Sequence, residues 1–292
     1  MATLRELKGR IGSVASSEKI TGAMKMISSA KMHKAEGALR QLRPYRDQVE
    51  TIIGNLLASD AAFDSPLMTP RDAVERVAVV VWGSDDGLCG AYNINIFKQL
   101  LAKIGEYRET LGENVRITVI PVGAKMAKAV SKIKTPGVDM RMPQGVDSKT
   151  TEVRDFTWSL RDSFLSGEFD RVDVLYMSYK SVSRQRLESA ELIPVTSAAF
   201  ASVKGDVAAK PYIFEPSAAA IFAKVLPMYL LAVIQDIFTE NRASEQAARV
   251  MAMQSANDNA KKLHDQLQLE FNKLRQQAIT TELLDILGGQ VK

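Results

Sequence analysis

Small and apolar residues recur at steps of three and four along the last seventy or so residues. From Ala243 they fall at Ala247, Val250, Met253, Ala256, Ala260, Leu263, Leu267, Leu274 and Ala278, with Glu270 in the same phase. That spacing makes one face of a helix, close to the heptad of a coiled coil. Residues 217–287 hold no glycine and one proline, Pro227. Unbroken, such a helix runs roughly 100 Å at its rise per residue. No domain this chain can fold is that wide, so most of the helix needs another surface. Its alanine-rich seam, with Asn257 at the edge, lets a partner backbone come close while burying little area. The pattern predicts a slender rod.

A second stripe opens the chain: Leu4, Leu7, Ile11 and Val14, then Ile20, Ala23, Ile27, Ala30, Ala38, Leu42, Tyr45, Val49, Ile52 and Leu56. Thr3 and Glu6 have the spacing of a capping box at its start. Gly9, Gly12, Gly22 and Gly37 each cost a helix about 1 kcal/mol relative to alanine, and Pro44 should bend or strain it. A helix that tolerates those losses takes its stability from a partner. Two helices at opposite ends of a chain pair antiparallel if the middle folds at their base. The C-terminal helix is the longer, so its tip is expected to lie unpaired. Two separate helices resting on a globular core is the competing arrangement, and their combined length disfavours it.

The middle reads differently. Residues 60–72 contain Pro66 and Pro70 and form a linker. Strands are predicted at Val77–Trp82, Val115–Val122, Val172–Tyr179 and Arg186–Thr196. Helical stripes separate them at Phe97–Leu111, Ala124–Ile133 and Val153–Phe164. Strands alternating with helices predict a small, mainly parallel α/β domain. The fold expected is therefore an antiparallel two-helix coiled coil of the N- and C-terminal segments (1–58 and 215–288) with a central Rossmann-like α/β domain (73–205). The loop Gly83–Asn95 follows the first strand, where such sheets usually bind ligands.

Charge and composition narrow the chemistry. The first fifty residues carry ten Lys and Arg against five acids, and the rest of the chain is close to neutral. These cations are interleaved with acids and lack aromatic neighbours, so the segment is a poor nucleic-acid surface, although a basic coiled coil binding nucleic acid or membrane remains the alternative of that class. A nucleotide-handling enzyme is the other alternative, but neither GxxxxGK[ST] nor GxGxxG is present. There is no GxSxG elbow and no Cys/His cluster with metal spacing. His33 and His264 both fall on the terminal helices. Asp85 and Asp86 could hold magnesium, but an Asx cap in a turn explains them more simply. The lone Cys89 excludes an internal disulfide and fits a reducing compartment. The start, MATLRELKGR, has no apolar run for a signal peptide, and Glu6 argues against a mitochondrial presequence. Ala218–Ile234 is the best membrane-span candidate, but it contains Lys224 and Pro227 and falls short of about 20 residues, so a buried helix is expected.

Several motifs now carry a resemblance. Lys19-Ile-Thr-Gly-Ala-Met-Lys-Met26 with Ser29-Ala-Lys-Met32 resembles the N-terminal signature of the gamma subunit of F-type ATP synthases. Ser84-Asp-Asp-Gly-Leu-Cys-Gly90 with Asn93-Ile-Asn95 is similar to that family's central loop. Glu240-Asn-Arg-Ala-Ser-Glu-Gln-Ala-Ala-Arg249, Met251-Ala-Met253 and Asp258-Asn-Ala260, followed by Asn272-Lys-Leu-Arg-Gln276 and Ile279-Thr-Thr-Glu-Leu283, resemble its C-terminal signature. The match runs from end to end in order. Asp86 departs from it, since the family usually has Lys or Arg there. The cysteine-bearing insertion of chloroplast relatives is missing, so thiol regulation is not expected.

The resemblance implies a rotor shaft of the bacterial enzyme, with no catalytic group, cofactor or metal of its own. Its coil would sit in a ring of three alpha and three beta subunits. Its base would join the epsilon subunit and the membrane c-ring, peripheral to the cytoplasmic face of the inner membrane. Met24 and Lys25 match the segment facing acidic beta-subunit loops, and Arg249, Gln276, Thr280 and Glu282 match positions that touch beta-subunit loops near the sleeve. A shaft that turns needs contacts strong enough to guide and weak enough to release. Large aromatic anchors, the usual hot spots, are scarce along both helices.

Overall fold

The computed structural model describes residues 3–58, 65–146, 153–197, 200 and 214–289. Two helices dominate it, α1 (Leu4–Leu57) and α5 (Ala218–Gly289). α1 opens on the predicted box: the Thr3 N–H donates to Glu6 Oε2 at 2.8 Å, and the Glu6 N–H returns to Thr3 Oγ1 at 3.2 Å. Both helices continue through their prolines, Pro44 and Pro227.

Between them lie β1 (Arg76–Trp82), α2 (Tyr92–Leu111), β2 (Arg116–Val122), α3 (Ala124–Val130), β3 (Val138–Met140), α4 (Arg154–Leu165), β4 (Arg171–Ser181) and β5 (Arg184–Ile193). They form one sheet in the order β3-β2-β1-β4-β5, parallel except for β5, which runs antiparallel to β4. The short β3 escaped sequence reading because three residues are too few to establish a period. The last strand starts two residues earlier than expected and stops at Ile193.

β1 reads as an unbroken apolar run because both of its faces are covered. Ala78, Val80 and Trp82 pack with Phe156, Leu160 and Phe164 of α4. Val77, Val79 and Val81 pack with Ile96, Leu100 and Ile104 of α2 and Met126 of α3. The terminal helices also join this core. Val49, Ile53 and Leu56 of α1 and Phe222, Leu226, Leu230, Ile234 and Phe238 of α5 lie in the same cluster as Trp82. By length and composition α5 contains a stretch apolar enough to cross a bilayer. Its apolar residues Phe222, Leu226, Leu230 and Ile234 are buried in the protein, while Lys224 is exposed.

The chain forms two compact units, one of residues 31–248 and one pairing residues 1–30 with 249–292. In the latter, the predicted α1 stripe holds as far as Val14. Beyond it, Glu18, Thr21, Gly22, Lys25 and Ser28 are covered, and Ala23 and Ala30 are exposed. Ile20 and Ile27 are 59% and 57% exposed, and the neighbouring Met26 68%. On α5, Met253, Ala260, Leu267 and Leu274 face inward as expected. The alternate positions differ: Asn257, His264 and Phe271 are covered, while Leu263, Glu270 and Ala278 are exposed. Two heptad phases share Met253, Ala260, Leu267 and Leu274, and spacing cannot separate them. Phe271 beside Glu270 was the one available clue.

The glycines of α1 differ in use. A Cβ at Gly9 or Gly12 would meet nothing within 4 Å, whereas one at Gly22 would lie 3.4 Å from Asn257 Nδ2. Gly9→Ala and Gly12→Ala are each expected to stabilise by about 0.5–1 kcal/mol, through propensity and a less disordered unfolded chain. Gly22→Ala should gain less, because its methyl crowds the Asn257 amide. Thermal unfolding of the three variants checks the ranking.

Candidate partner surfaces and the strand-end loop

The loop after β1 begins at Gly83, where a Cβ would come within 2.5 Å of Met126 Cβ. Only glycine fits that approach. The Ser84 N–H donates to Asn93 Oδ1 at 3.1 Å, Asn93 Nδ2 donates to Ser84 Oγ at 2.6 Å, and Ser84 Oγ donates to the Asp86 carbonyl at 2.8 Å. Asp85 Oδ1 accepts the Ala124 N–H at 3.0 Å, at the start of α3. Asp85 is thus a helix cap. Cys89 is buried, with Asn93 Nδ2 3.5 Å from its sulfur. α5 packs against the Gly83 side of this loop, while Asp85 and Asp86 line an open cleft with Arg154 and with Gln235 and Arg242 of α5. Asn241 Nδ2 donates to the Gly83 carbonyl at 3.1 Å, and its Oδ1 accepts the Tyr92 hydroxyl at 2.7 Å.

Ionic contacts tie α1 to α5 within residues 31–248, in antiparallel order. Arg43 Nη2 lies 3.4 Å from Glu240 Oε1, and Arg46 donates to Asp236. Arg46 also meets Glu50 at 3.0 Å. Burial pushes the Glu50 carboxyl above its ordinary value and the Tyr229 phenol up to about 12. For Arg46, burial pulls the other way, but Asp236 and Glu50 together hold the guanidinium above its usual value. Glu36 accepts the Tyr179 hydroxyl, joining α1 to β4, and that bond leads the causes that lower its carboxyl. Met32 and Leu39 of α1 cluster there with Ala243 and Ala247 of α5.

In the other unit Asn257 makes a polar crossing between the helices. Its Nδ2 donates to the Glu18 carbonyl at 2.7 Å and lies 3.3 Å from Thr21 Oγ1. From Arg275 to Leu287 every residue is exposed, including Ile279, Leu283, Leu284, Ile286 and Leu287. The last residues of this tip, 290–292, lie outside the described residues.

All six residues singled out in the sequence belong to this unit. They do not form one site. Met24 and Lys25 are half-buried, Arg249 is buried at 5% exposed, and Gln276, Thr280 and Glu282 are open. Arg249 and Gln276 are about 40 Å apart along the helix at its rise per residue. Gln276 and Thr280 share a face, the Thr280 hydroxyl donating to the Gln276 carbonyl at 2.9 Å. Glu282 points elsewhere, about 120° round the helix from Gln276. Sequence reading missed Asn241, Tyr92 and the Arg46–Asp236 pair. The usable signal was an asparagine three residues after Phe238, in the buried phase of an apolar helix.

Long chain-end helices joined to a three-layer α/β domain, with apolar side chains left open along the pair, mark an assembly subunit. A family described as ATP synthase matches residues 3–291. The chain is 42% identical to an ATP synthase gamma chain of Bacteroides fragilis over 302 residues, and 39% identical to that of Bacteroides thetaiotaomicron over 301, covering all of both chains in each case. A gamma chain of Xanthomonas oryzae pv. oryzae is 34% identical with 99% of each chain covered. Among solved structures, a chain of the Euglena gracilis mitochondrial ATP synthase OSCP/F1/c-ring assembly superposes with a TM-score of 0.68 at 22% identity, covering 98% of this chain and 93% of that one. A chain from the rotor of the same enzyme superposes at 0.61 and 20% identity, covering 94% and 98%. These superpositions establish a shared fold. The chain belongs to the ATP synthase gamma-chain family.

Proposed function

We propose that this gamma subunit is the central rotor shaft of a bacterial F-type ATP synthase and makes or breaks no bond itself. Segments 1–58 and 215–288 serve as the shaft and 73–205 as its base. The helix pair turns inside three alpha and three beta subunits, and the base meets the epsilon subunit and the c-ring at the cytoplasmic face of the inner membrane. Proton flow turns the ring, and the shaft drives each beta subunit in turn through its nucleotide affinities. The observation that carries this reading is end-to-end similarity to bacterial gamma chains.

The geometry agrees with it. A shaft in a three-fold sleeve must present a different surface to each partner at any angle, and an unequal helix pair does so. No single contact should be strong enough to trap one angle, because a partner shifts an equilibrium only by its differential affinity. Ile20, Met26 and Ile27 offer small apolar contacts, and Lys25 a cation beside them. Gln276, Thr280 and Glu282 are open to beta-subunit loops as they stand. Met24 and Lys25 offer their outer edges, and Arg249 the little of its side chain that stays exposed.

Mixing the purified chain with separate alpha and beta subunits tests this. One copy should enter per three-plus-three ring, and the assembled ring should hydrolyse ATP faster than alpha and beta alone. Rings that exclude the chain, or take three copies, would overturn the reading.

A further inference from the structure

Where α5 leaves the sheet, its hold changes character. As far as Phe238 that hold is mainly apolar, with one bond from the Val153 N–H to Gln235 Oε1 at 3.1 Å. Three residues on, Asn241 is 3% exposed and bonds to three separate elements. Its Nδ2 donates to the Gly83 carbonyl at the end of β1, at 3.1 Å. Its Oδ1 accepts the Tyr92 hydroxyl from the start of α2 at 2.7 Å, and faces the Met177 N–H of β4 at 3.4 Å. The same hydroxyl lies 3.1 Å from the Asn241 backbone carbonyl. Tyr92 is itself buried.

Apolar packing is non-directional and holds the rotation of a helix only through the fit of its side chains. Hydrogen bonds add a directional restraint. A turn of about 20° carries an atom roughly 5 Å from the axis through about 1.7 Å, past hydrogen-bond reach. We propose that Asn241, held by Tyr92, is a torsional latch. It fixes the rotation of α5 about its own axis against the sheet, so that torque entering the α/β domain is delivered into the helix and is not lost as twist. Asn241 is a positioning residue, and its role rests on the rotor reading above. Its place suits the task, because it bonds to three elements of the α/β domain about two turns before the helix reaches Arg249.

The test uses the complete enzyme carrying Asn241→Leu or, more gently, Tyr92→Phe, which removes only the hydroxyl and keeps the ring. A rod fixed to the base of the chain, with the ring locked by bound nucleotide, reports angular fluctuation. Asn241→Leu should at least double the variance of the rod angle and Tyr92→Phe should raise it by a smaller amount, both without a matching loss of ATP hydrolysis by the soluble assembly. Unchanged variance in both variants, with only a lower melting temperature, makes the node a fold contact and overturns the latch while leaving the rotor intact. A wild-type rod that does not turn under ATP overturns the rotor reading and the latch with it.

Discussion

With Ala260→Glu and Leu267→Asp together in the complete enzyme, ATP synthesis driven by a proton gradient should fall about tenfold, and hydrolysis by the soluble assembly less than about threefold. Leu267 is among the most buried side chains of the unit formed by residues 1–30 and 249–292, and Ala260 sits two turns earlier in the same phase. A carboxylate at Leu267 forfeits roughly 2 kcal/mol of apolar burial and adds a desolvated charge. Neither residue is placed near nucleotide chemistry, so the damage is to stiffness. Hydrolysis can proceed with some slack in the axle, whereas synthesis needs torque carried along it. Both rates are measured on one preparation, in sealed vesicles and after release of the soluble part. Leu263→Asp is the control, since Leu263 is exposed at 42%. Equal losses of synthesis and hydrolysis in the double variant would end the shaft account.

Arg46→Ala should destabilise the chain by about 3–5 kcal/mol, the usual cost of leaving a buried charge without its partner. Asp236 is almost fully buried opposite Arg46, and Glu50 shares the same guanidinium. Replacing the pair with Arg46→Met and Asp236→Leu should come within about 1 kcal/mol of wild type, because packed apolar side chains substitute for a buried ion pair at little cost. The sign with pH follows. Glu50 already sits above its ordinary value through burial, and losing Arg46 removes what lowers it. A carboxyl raised in the folded state contributes most below its unfolded value, and that contribution is lost as pH rises through the folded one. The Arg46→Ala deficit should therefore shrink as pH is lowered towards that raised value. Urea unfolding of single and double variants at two pH values checks both points. Equal deficits in single and double would show that the charges are not the cause.

Much of the architecture was legible because it rests on local rules. Thr3 and Glu6 announced the start of α1, and they close the box as drawn. The glycine-free run after Ser217 is one helix, and Val77–Trp82 is a strand covered on both faces. The loop motif from Ser84 to Gly90 was legible as a motif but not as a device. Nothing in the spacing shows that Asp85 caps α3, or that Asn241 arrives from a distant helix to bond the Gly83 carbonyl. Those pairs are separated by 39 and 158 positions in the chain. Linear patterns report neighbours three, four or seven residues away and are blind to partners so distant.

Residue order by itself determined which segments are helices and strands, because periods of 3.6 and 2 follow from backbone geometry alone. Tertiary structure decided which way the helices face. Between Glu18 and Ala30 the covered side of α1 is mostly polar or small, with Met24 half-buried among it, while Ile20, Met26 and Ile27 point out. The rule that apolar residues turn inward assumes that all burial occurs within one chain. Here Asn257 must reach the Glu18 carbonyl past Gly22, so the close crossing takes small and polar residues, and the apolar ones are left for surfaces this chain does not supply.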